Sequence, residues 1–170
     1  MPEGDTVYAA ADRLRRALAG QVLTYCQFRV PRYATVDFAG HTVTGVRSRG
    51  KHLLIDLADP QGNRAPSILS HLKMEGAWHV YRPGQRWRAP AYQARAIVGT
   101  KPADAVGFEL AMVEVLPTAD EARVVGHLGP DPLAADWDPS DAAARVAADH
   151  RAIHVALLDQ RNVAGFGNEY

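Results

Sequence analysis

The strongest constraint on this fold is how often the chain interrupts itself. Between Gln21 and Leu116 it is cut into short runs rich in β-branched, aromatic and aliphatic residues: "QVLTYCQFRV", "HTVTGVRS", "KHLLIDLA", "SILSHLKM", "GAWHVYRP", "YQARAIVG" and "GFELAMVEVL". Gly, Pro, Asn and Asp separate them. Several short strands at this spacing predict a sandwich or a barrel-like pair of sheets. "RSRGKHLLIDL" reads as two strands joined by a tight turn at Arg49-Gly50.

Helical pattern flanks this region on both sides. In "TVYAAADRLRRALAG" the apolar residues Val7, Ala10, Ala11, Leu14, Ala17 and Leu18 recur near a 3.6-residue period, and Gly20 ends the run. Arg13 and Arg16 give that helix a basic face, and Asp5 or Thr6 is positioned to cap it. After Pro117 the texture turns helical again. "TADEARVVGHLG" predicts a short helix and "GPDPLAADWDPS" a proline-rich loop. "SDAAARVAADHRAIHVALLDQ" predicts two helices parted near Asp149-His150, with Ser140 as the cap of the first. The closing "RNVAGFGNEY", with Gly165 and Gly167, predicts a tight turn with accessible backbone amides. The expected fold class is α+β: an N-terminal helix with a two-layer antiparallel β-sandwich over 1–116, then a helical unit over 117–170.

Composition narrows the class. There is no run of about 18 apolar residues to span a bilayer and no basic n-region leading into a long apolar stretch, so the expected location is cytoplasmic. A single cysteine, Cys26, excludes an internal disulfide or a multi-cysteine zinc site within these 170 residues, and its setting in "LTYCQF" reads as a buried small hydrophobe. The formal charge of zero conceals an asymmetry. Residues 1–101 carry 15 Lys+Arg and 7 Asp+Glu, whereas residues 102–170 carry 4 and 12. A basic N-terminal half suits a phosphate-rich partner.

The start, "MPEG", can be read in two ways. Proline fits the first turn of a helix, where its missing N–H costs least. It also leaves a secondary amine as the new terminus once Met1 is removed. Terminal amines ordinarily titrate near pH 8, against about 10.4 for lysine. Such an amine is an available nucleophile at neutral pH. An enzyme using a terminal proline as a general base is a third reading, but it would need no partner motifs elsewhere.

Those partner motifs are present. "MPEG", "RGKHLL" at 49–54, "SHLKMEG" at 70–76, "GHLGPDPL" and the final "LLDQRNVAGFGNEY" occur together and in order. In this combination the chain resembles the formamidopyrimidine-DNA glycosylase/endonuclease VIII family from its first residue to its last. The resemblance implies a DNA glycosylase with abasic-site lyase activity, acting on double-stranded DNA as a monomer. Pro2 would be the nucleophile toward the sugar C1′ and Glu3 the acid/base at the opening sugar. Lys51 would hold a phosphate and assist proton transfer. His71 and Asn168 would contact phosphates flanking the lesion, and Met74 would fill the gap left by an everted nucleotide. Asp159 would be a structural carboxylate. The residue-level alternatives are a first-turn acid for Glu3, a solvated turn lysine for Lys51, a helix cap for Asn168 and a core methionine for Met74.

The Pro2-Glu3-Gly4 start, with no Asp-Pro-Arg-Arg-Phe run in "AVGFELAMVEVL", places the resemblance nearer the endonuclease VIII branch and implies oxidised pyrimidines as substrates. Asp5 and Thr6 stand where the family commonly has Pro-Glu. A full-length family member would continue into a second helix of a helix–two-turn–helix module and a four-cysteine zinc finger, which lie outside this sequence. A non-catalytic DNA-binding module of the same fold is the competing reading.

Overall fold

Apolar residues three and four apart put one stripe of the first helix against the sheets. In the computed structural model, which describes residues 3–168, helix α1 (Gly4–Leu18) buries Val7, Ala10, Ala11, Leu14 and Leu18. Each of the valine and leucines among them contributes about 1.5–3 kcal/mol of transfer free energy. The helix lies across β2 (Thr42–Arg49), β3 (His52–Ala58) and β5 (Ala77–Tyr81). It begins at Gly4, two residues earlier than a cap at Asp5 would allow and three earlier than one at Thr6. Glu3 is the residue before the first turn, and its side chain makes no capping hydrogen bond. Asp5 instead accepts from the Thr6 amide at 2.7 Å.

Eight strands form two four-stranded antiparallel sheets among the described residues. One has the order β2-β3-β4-β8, with β4 Ser67–His71 and β8 Met112–Leu116; the other has the order β1-β6-β7-β5, with β1 Leu23–Phe28, β6 Ala94–Thr100 and β7 Asp104–Phe108. Leu53, Ile55, Leu57 and Ile68 meet Phe28, Trp78, Ala96 and Val98 in a core shared with α1. Trp78 anchors its one polar atom there by donating from Nε1 to Ser70 Oγ at 3.0 Å.

The β2–β3 hairpin has its two loop residues, Gly50 and Lys51, between the paired Arg49 and His52. Gly50 alone takes a positive φ, +58°, as a two-residue turn of the II′ kind requires. The sequence pattern read "GFELAMVEVL" as one strand. It is two, because Glu109 turns the chain at φ +48° between β7 and β8. Its amide donates to Gln93 O at 2.8 Å. Strand β7, "DAVGF", escaped the pattern because its Asp and Gly resemble a turn, yet Ala105, Val106 and Phe108 are all buried.

The second face of the β2-β3-β4-β8 sheet is also covered. Leu54, Leu69 and Leu116 pack there with Met112 and with Val124 of α2 (Glu121–Val125). A charged network closes the same seam. Arg47 pairs with Asp56 at 2.8 Å and Glu121 at 2.7 Å, and Ser67 Oγ donates to Asp56 at 2.7 Å. Burial alone would lower the affinity of Arg47 for its proton, but these two carboxylates override it and keep the guanidinium charged.

Helices α3 (Pro139–Ala148) and α4 (Ile153–Leu158) follow, parted at the expected place. Their cap differs from expectation. Asp138, not Ser140, caps α3, its carboxylate accepting from the amides of Ser140 and Asp141, with Pro139 in the first turn.

Leu53, near the start of β3, has no exposed surface and packs in the core shared by α1 and the second sheet. Leu53→Ala should therefore lower stability by about 2–5 kcal/mol, whereas Val22→Ala, at a half-exposed position, should cost less than about 0.5 kcal/mol. Urea denaturation, comparing midpoints at constant slope, measures both.

Candidate active site

Three stretches distant in sequence meet at the N-terminal end of α1, and glycine makes the meeting possible. The Gly4 amide donates to Gly165 O at 2.9 Å. A β-carbon on Gly4 would stand 2.9 Å from the Gly165 Cα, closer than real side chains approach. Gly165 has φ +95°, where only glycine is comfortable. Gly50, at the hairpin tip, would place a β-carbon 3.4 Å from both Ala164 Cβ and Leu128 Cδ1. The start of α1, the Gly50-Lys51 turn and the 164–167 turn are thus in backbone contact.

This packing brings Glu3 and Lys51 together. Lys51 Nζ lies 2.8 Å from Glu3 Oε2, and the Glu3 side chain is 3% exposed. The contact is an ion pair rather than an aligned hydrogen bond, since neither oxygen of Glu3 accepts one among the described residues. A buried carboxylate with free lone pairs is costly, and lysine's charge is what offsets it here. Gly167 forms the third wall. A β-carbon there would fall 1.7 Å from Glu3 Oε2, so the bare backbone of Gly167 abuts the carboxylate. Pro2 lies outside the described residues; by the sequence it is bonded directly to Glu3.

Two buried or half-buried groups that sequence reasoning did not single out clamp the junction. Asp131, in "GPDPL", is 4% exposed. One of its oxygens accepts from the Gly50 amide at 2.8 Å and the other from Leu133 N at 2.9 Å. Gln160 accepts from Gly165 N at 2.8 Å and donates to Phe166 O at 2.8 Å and Leu158 O at 3.1 Å. The available signal was their position, each inside a motif that was otherwise read for its neighbours. Asp159 holds the terminal turn from outside. It accepts from the Arg161 amide and guanidinium and from Arg151, and these hydrogen bonds keep its carboxyl well below the usual range.

His71 ends β4 beside the hairpin. Its Nδ1 accepts from the Lys73 amide at 3.0 Å, which leaves the proton of the neutral ring on Nε2. Burial, then the neighbouring His52, Lys73 and Lys51, push its pKa down to about 4. Its ring meets that of His52, its cross-strand partner, edge to face at 5.1 Å between centroids. Met74 is on the turn after β4, not on a strand, and is 63% exposed; the core alternative for it fails. The Lys73 φ of +48° and the Gly76 N to Leu72 O bond at 3.0 Å define that turn. Asn168 is exposed just past Gly167 and beside His154 and Leu158, and it caps no helix among the described residues. The structure therefore brings Glu3, Lys51 and Gly167 together, and sets His71 across from His52 at the turn end of the hairpin and Met74 on the turn after β4.

Among the described residues no group of three or more His, Cys, Asp or Glu could hold a metal ion. Cys26 is buried, and burial first of all pushes its thiol up to about 11. One cysteine does not fit a four-cysteine zinc site. No helix among the described residues is long and apolar enough to cross a membrane.

Comparison with known proteins identifies the fold and the family. The chain is 56% identical over 172 residues to a probable endonuclease 8 2 of Streptomyces coelicolor. It is 48% identical over 171 residues to a DNA-(apurinic or apyrimidinic site) lyase of Mycolicibacterium smegmatis. Both alignments cover all of this chain but 60% and 64% of the relatives, so the chain spans less than two thirds of their length. The fold matches that of Lactococcus lactis formamidopyrimidine-DNA glycosylase bound to DNA containing an abasic site. The TM-score is 0.76 at 21% identity, over 98% of this chain and 64% of that one. Residues 1–164 match the formamidopyrimidine-DNA glycosylase N-terminal domain, and the chain belongs to that family.

Proposed function

We propose that this chain is the catalytic part of a bifunctional DNA glycosylase and abasic-site lyase of base excision repair. The observation that carries the reading is the buried Glu3 carboxylate, paired with Lys51 at 2.8 Å, walled by Gly167 and one bond from Pro2. The names of the relatives and the DNA-bound state of the structural neighbour support the same chemistry.

In this reading the terminal proline amine, freed of Met1, attacks the sugar C1′ and the damaged base leaves with its electron pair. The Glu3 carboxylate takes up the proton that the amine sheds on attack and passes it to the ring oxygen as the sugar opens and an iminium forms. The iminium draws electrons from C2′, whose proton is lost as the 3′-phosphate departs; a second elimination releases the 5′-phosphate. Lys51 has two uses here. It keeps the buried carboxylate supportable, and its remaining N–H groups face a phosphate or a proton in transit. His71, neutral with a proton on Nε2, is a hydrogen-bond donor to a phosphate without adding charge. Asn168 would contact a second phosphate. Met74, exposed on a tight turn, suits a wedge that replaces a flipped nucleotide in the stack.

Residues 1–116 would form the catalytic unit and 117–170 the linker and first part of a helical DNA-binding unit. The Pro2-Glu3-Gly4 start and the endonuclease 8 relatives favour oxidised pyrimidines as substrates. Zinc would belong to a part of the protein beyond this chain.

Borohydride trapping on abasic-site DNA tests the nucleophile. The wild type should cross-link, and a variant with glycine for Pro2 and its terminal nitrogen acetylated should not; adduct from that variant overturns the reading. Glu3→Gln should lower base excision by about 100- to 10,000-fold, the range of a lost acid/base group, while preserving binding to undamaged duplex. Gly167→Ala tests the wall. Its β-carbon must displace the flexible Glu3 carboxylate rather than backbone, so single-turnover excision should fall about 100-fold with little change in thermal stability.

The pH dependence of His71 also follows. Its folded pKa of about 4 lies below the unfolded value near 6.5, so the group disfavours folding as pH falls from about 6.5 toward 4 and is silent above that window. His71→Gln should therefore weaken lesion binding by a factor that stays constant between about pH 7 and pH 8. A factor that grows as pH drops across that range would mean a charged imidazole makes the contact.

A further inference from the structure

The far half of α1 faces a second concentration of positive charge that the proposed chemistry does not use. A groove runs between α1 and the edge strand β5, lined by Arg13, Arg16, His79, Val80, Gln85 and Arg88. Arg13 and Arg16 are one turn apart and share a helix face. Arg86 and Trp87 extend the groove around the loop that follows β5. The guanidiniums of Arg13, Arg86 and Arg88 have no acidic partner within ion-pair distance among the described residues, although Asp12 engages Arg15 and Arg16. From Gly76 to Ala103 the sequence contains no Asp or Glu at all.

The loop presents these charges rigidly. Tyr81 Oη accepts from Arg88 N at 3.1 Å, and Gln85 Oε1 from Arg82 N at 3.0 Å. Trp87 packs edge-on to Phe108 at 5.7 Å, under the Arg29 guanidinium at 5.6 Å. Burial, then the Arg13 and Arg88 cations, hold the His79 imidazole below its usual range, so both arginines act on the groove itself. Preorganised, unpaired guanidiniums recognise phosphates in two-pronged fashion. A protein partner would want an apolar anchor, and the exposed apolar side chain lining the groove is Val80, 39% exposed.

At 1.5 Å per residue, Arg13 and Arg16 lie about 15–20 Å along the helix from Glu3. That span equals about four to six nucleotides at 3.4 Å each. We propose that the α1–β5 groove is a second phosphodiester contact, gripping duplex DNA beyond the segment that enters the Glu3–Lys51 site. It rests on the reading of that site as DNA-binding.

The test compares two duplexes by fluorescence anisotropy: a hairpin-capped one extending about four base pairs either side of an abasic site, and one of about thirty base pairs. Two lost phosphate contacts should lower the slope of log K against log salt by about 2. The double variant R13S/R88S should show this loss, with about 10-fold weaker binding, on the long duplex alone. R13K/R88K should retain most of the slope, and neither variant should change borohydride trapping on the short hairpin. Unchanged slope and affinity of R13S/R88S on the long duplex overturns the proposal. So does a loss confined to polyglutamate binding, which would assign the groove to an acidic polypeptide. If the wild type shows the long-duplex contact but never cross-links to the short hairpin, the groove stands and the Pro2 chemistry falls.

Discussion

Everything at the candidate site depends on backbone meeting backbone without side chains between. A hydrogen bond of 2.9 Å from Gly4 to Gly165 joins residues 161 positions apart in sequence, and Gly50 adds the hairpin tip to the same point. Any β-carbon at Gly4 would push the terminal turn away from α1, and with it Gly167 from Glu3. Closing so long a loop costs conformational entropy. The junction persists because it is over-determined: Asp131 holds the hairpin from one side and Gln160 holds the terminal turn from the other. Position at the site is set by these two polar clamps, and the catalytic candidates themselves contribute little to it.

Much of the architecture was legible in the chain because local rules and tertiary structure agree there. The stripe from Val7 to Leu18, the Gly50 turn and the break near Asp149 each follow from period or punctuation. Legibility failed where a residue type has two uses. The Asp and Gly of "DAVGF" signal a turn in isolation, yet pairing with β5 and β6 on either side makes that stretch a central strand. Asp138 precedes a proline, and its capping role was hidden by the more familiar serine two positions on. The sheet order was not legible at all, since pairing β1 with β6 and β4 with β8 depends on contacts far apart in sequence.

The site divides in the same way. Glu3, Lys51, His71 and Met74 stood out as motif members, but their mutual placement could not be read from spacing. Asp131 and Gln160 carry no chemistry of their own, so nothing about their residue type drew attention. Their importance lies in which amides they accept from, and that is a property of the folded backbone alone. Charge was misleading when summed. The acidic stretch after residue 102 spends much of its charge internally, with Asp149 and Asp159 on Arg151 and Arg161, and Asp141 on Arg145. Arg13 and Arg88 of the α1–β5 groove have no such partners among the described residues. A chain of zero formal charge therefore presents a basic groove beside α1.

The Glu3 carboxylate, ion-paired with Lys51 but accepting no hydrogen bond among the described residues, is the clearest departure from polar satisfaction at the junction. Buried polar groups in folded proteins are normally hydrogen-bonded, and an exception asks for a reason. A capping role would have supplied one, but amides of the first turn of α1 already have partners: Gly4 N donates to Gly165 O, Thr6 N to Asp5 Oδ1 and Val7 N to Glu3 O. The side chain declines that role and turns instead toward Lys51 and Gly167. Stability alone would favour a hydrogen-bonded or apolar side chain at this buried position. The arrangement gives that up, and what it keeps is a buried carboxylate beside Lys51, one residue from Pro2. The proton-transfer role proposed for Glu3 uses that combination, and a purely structural carboxylate would not.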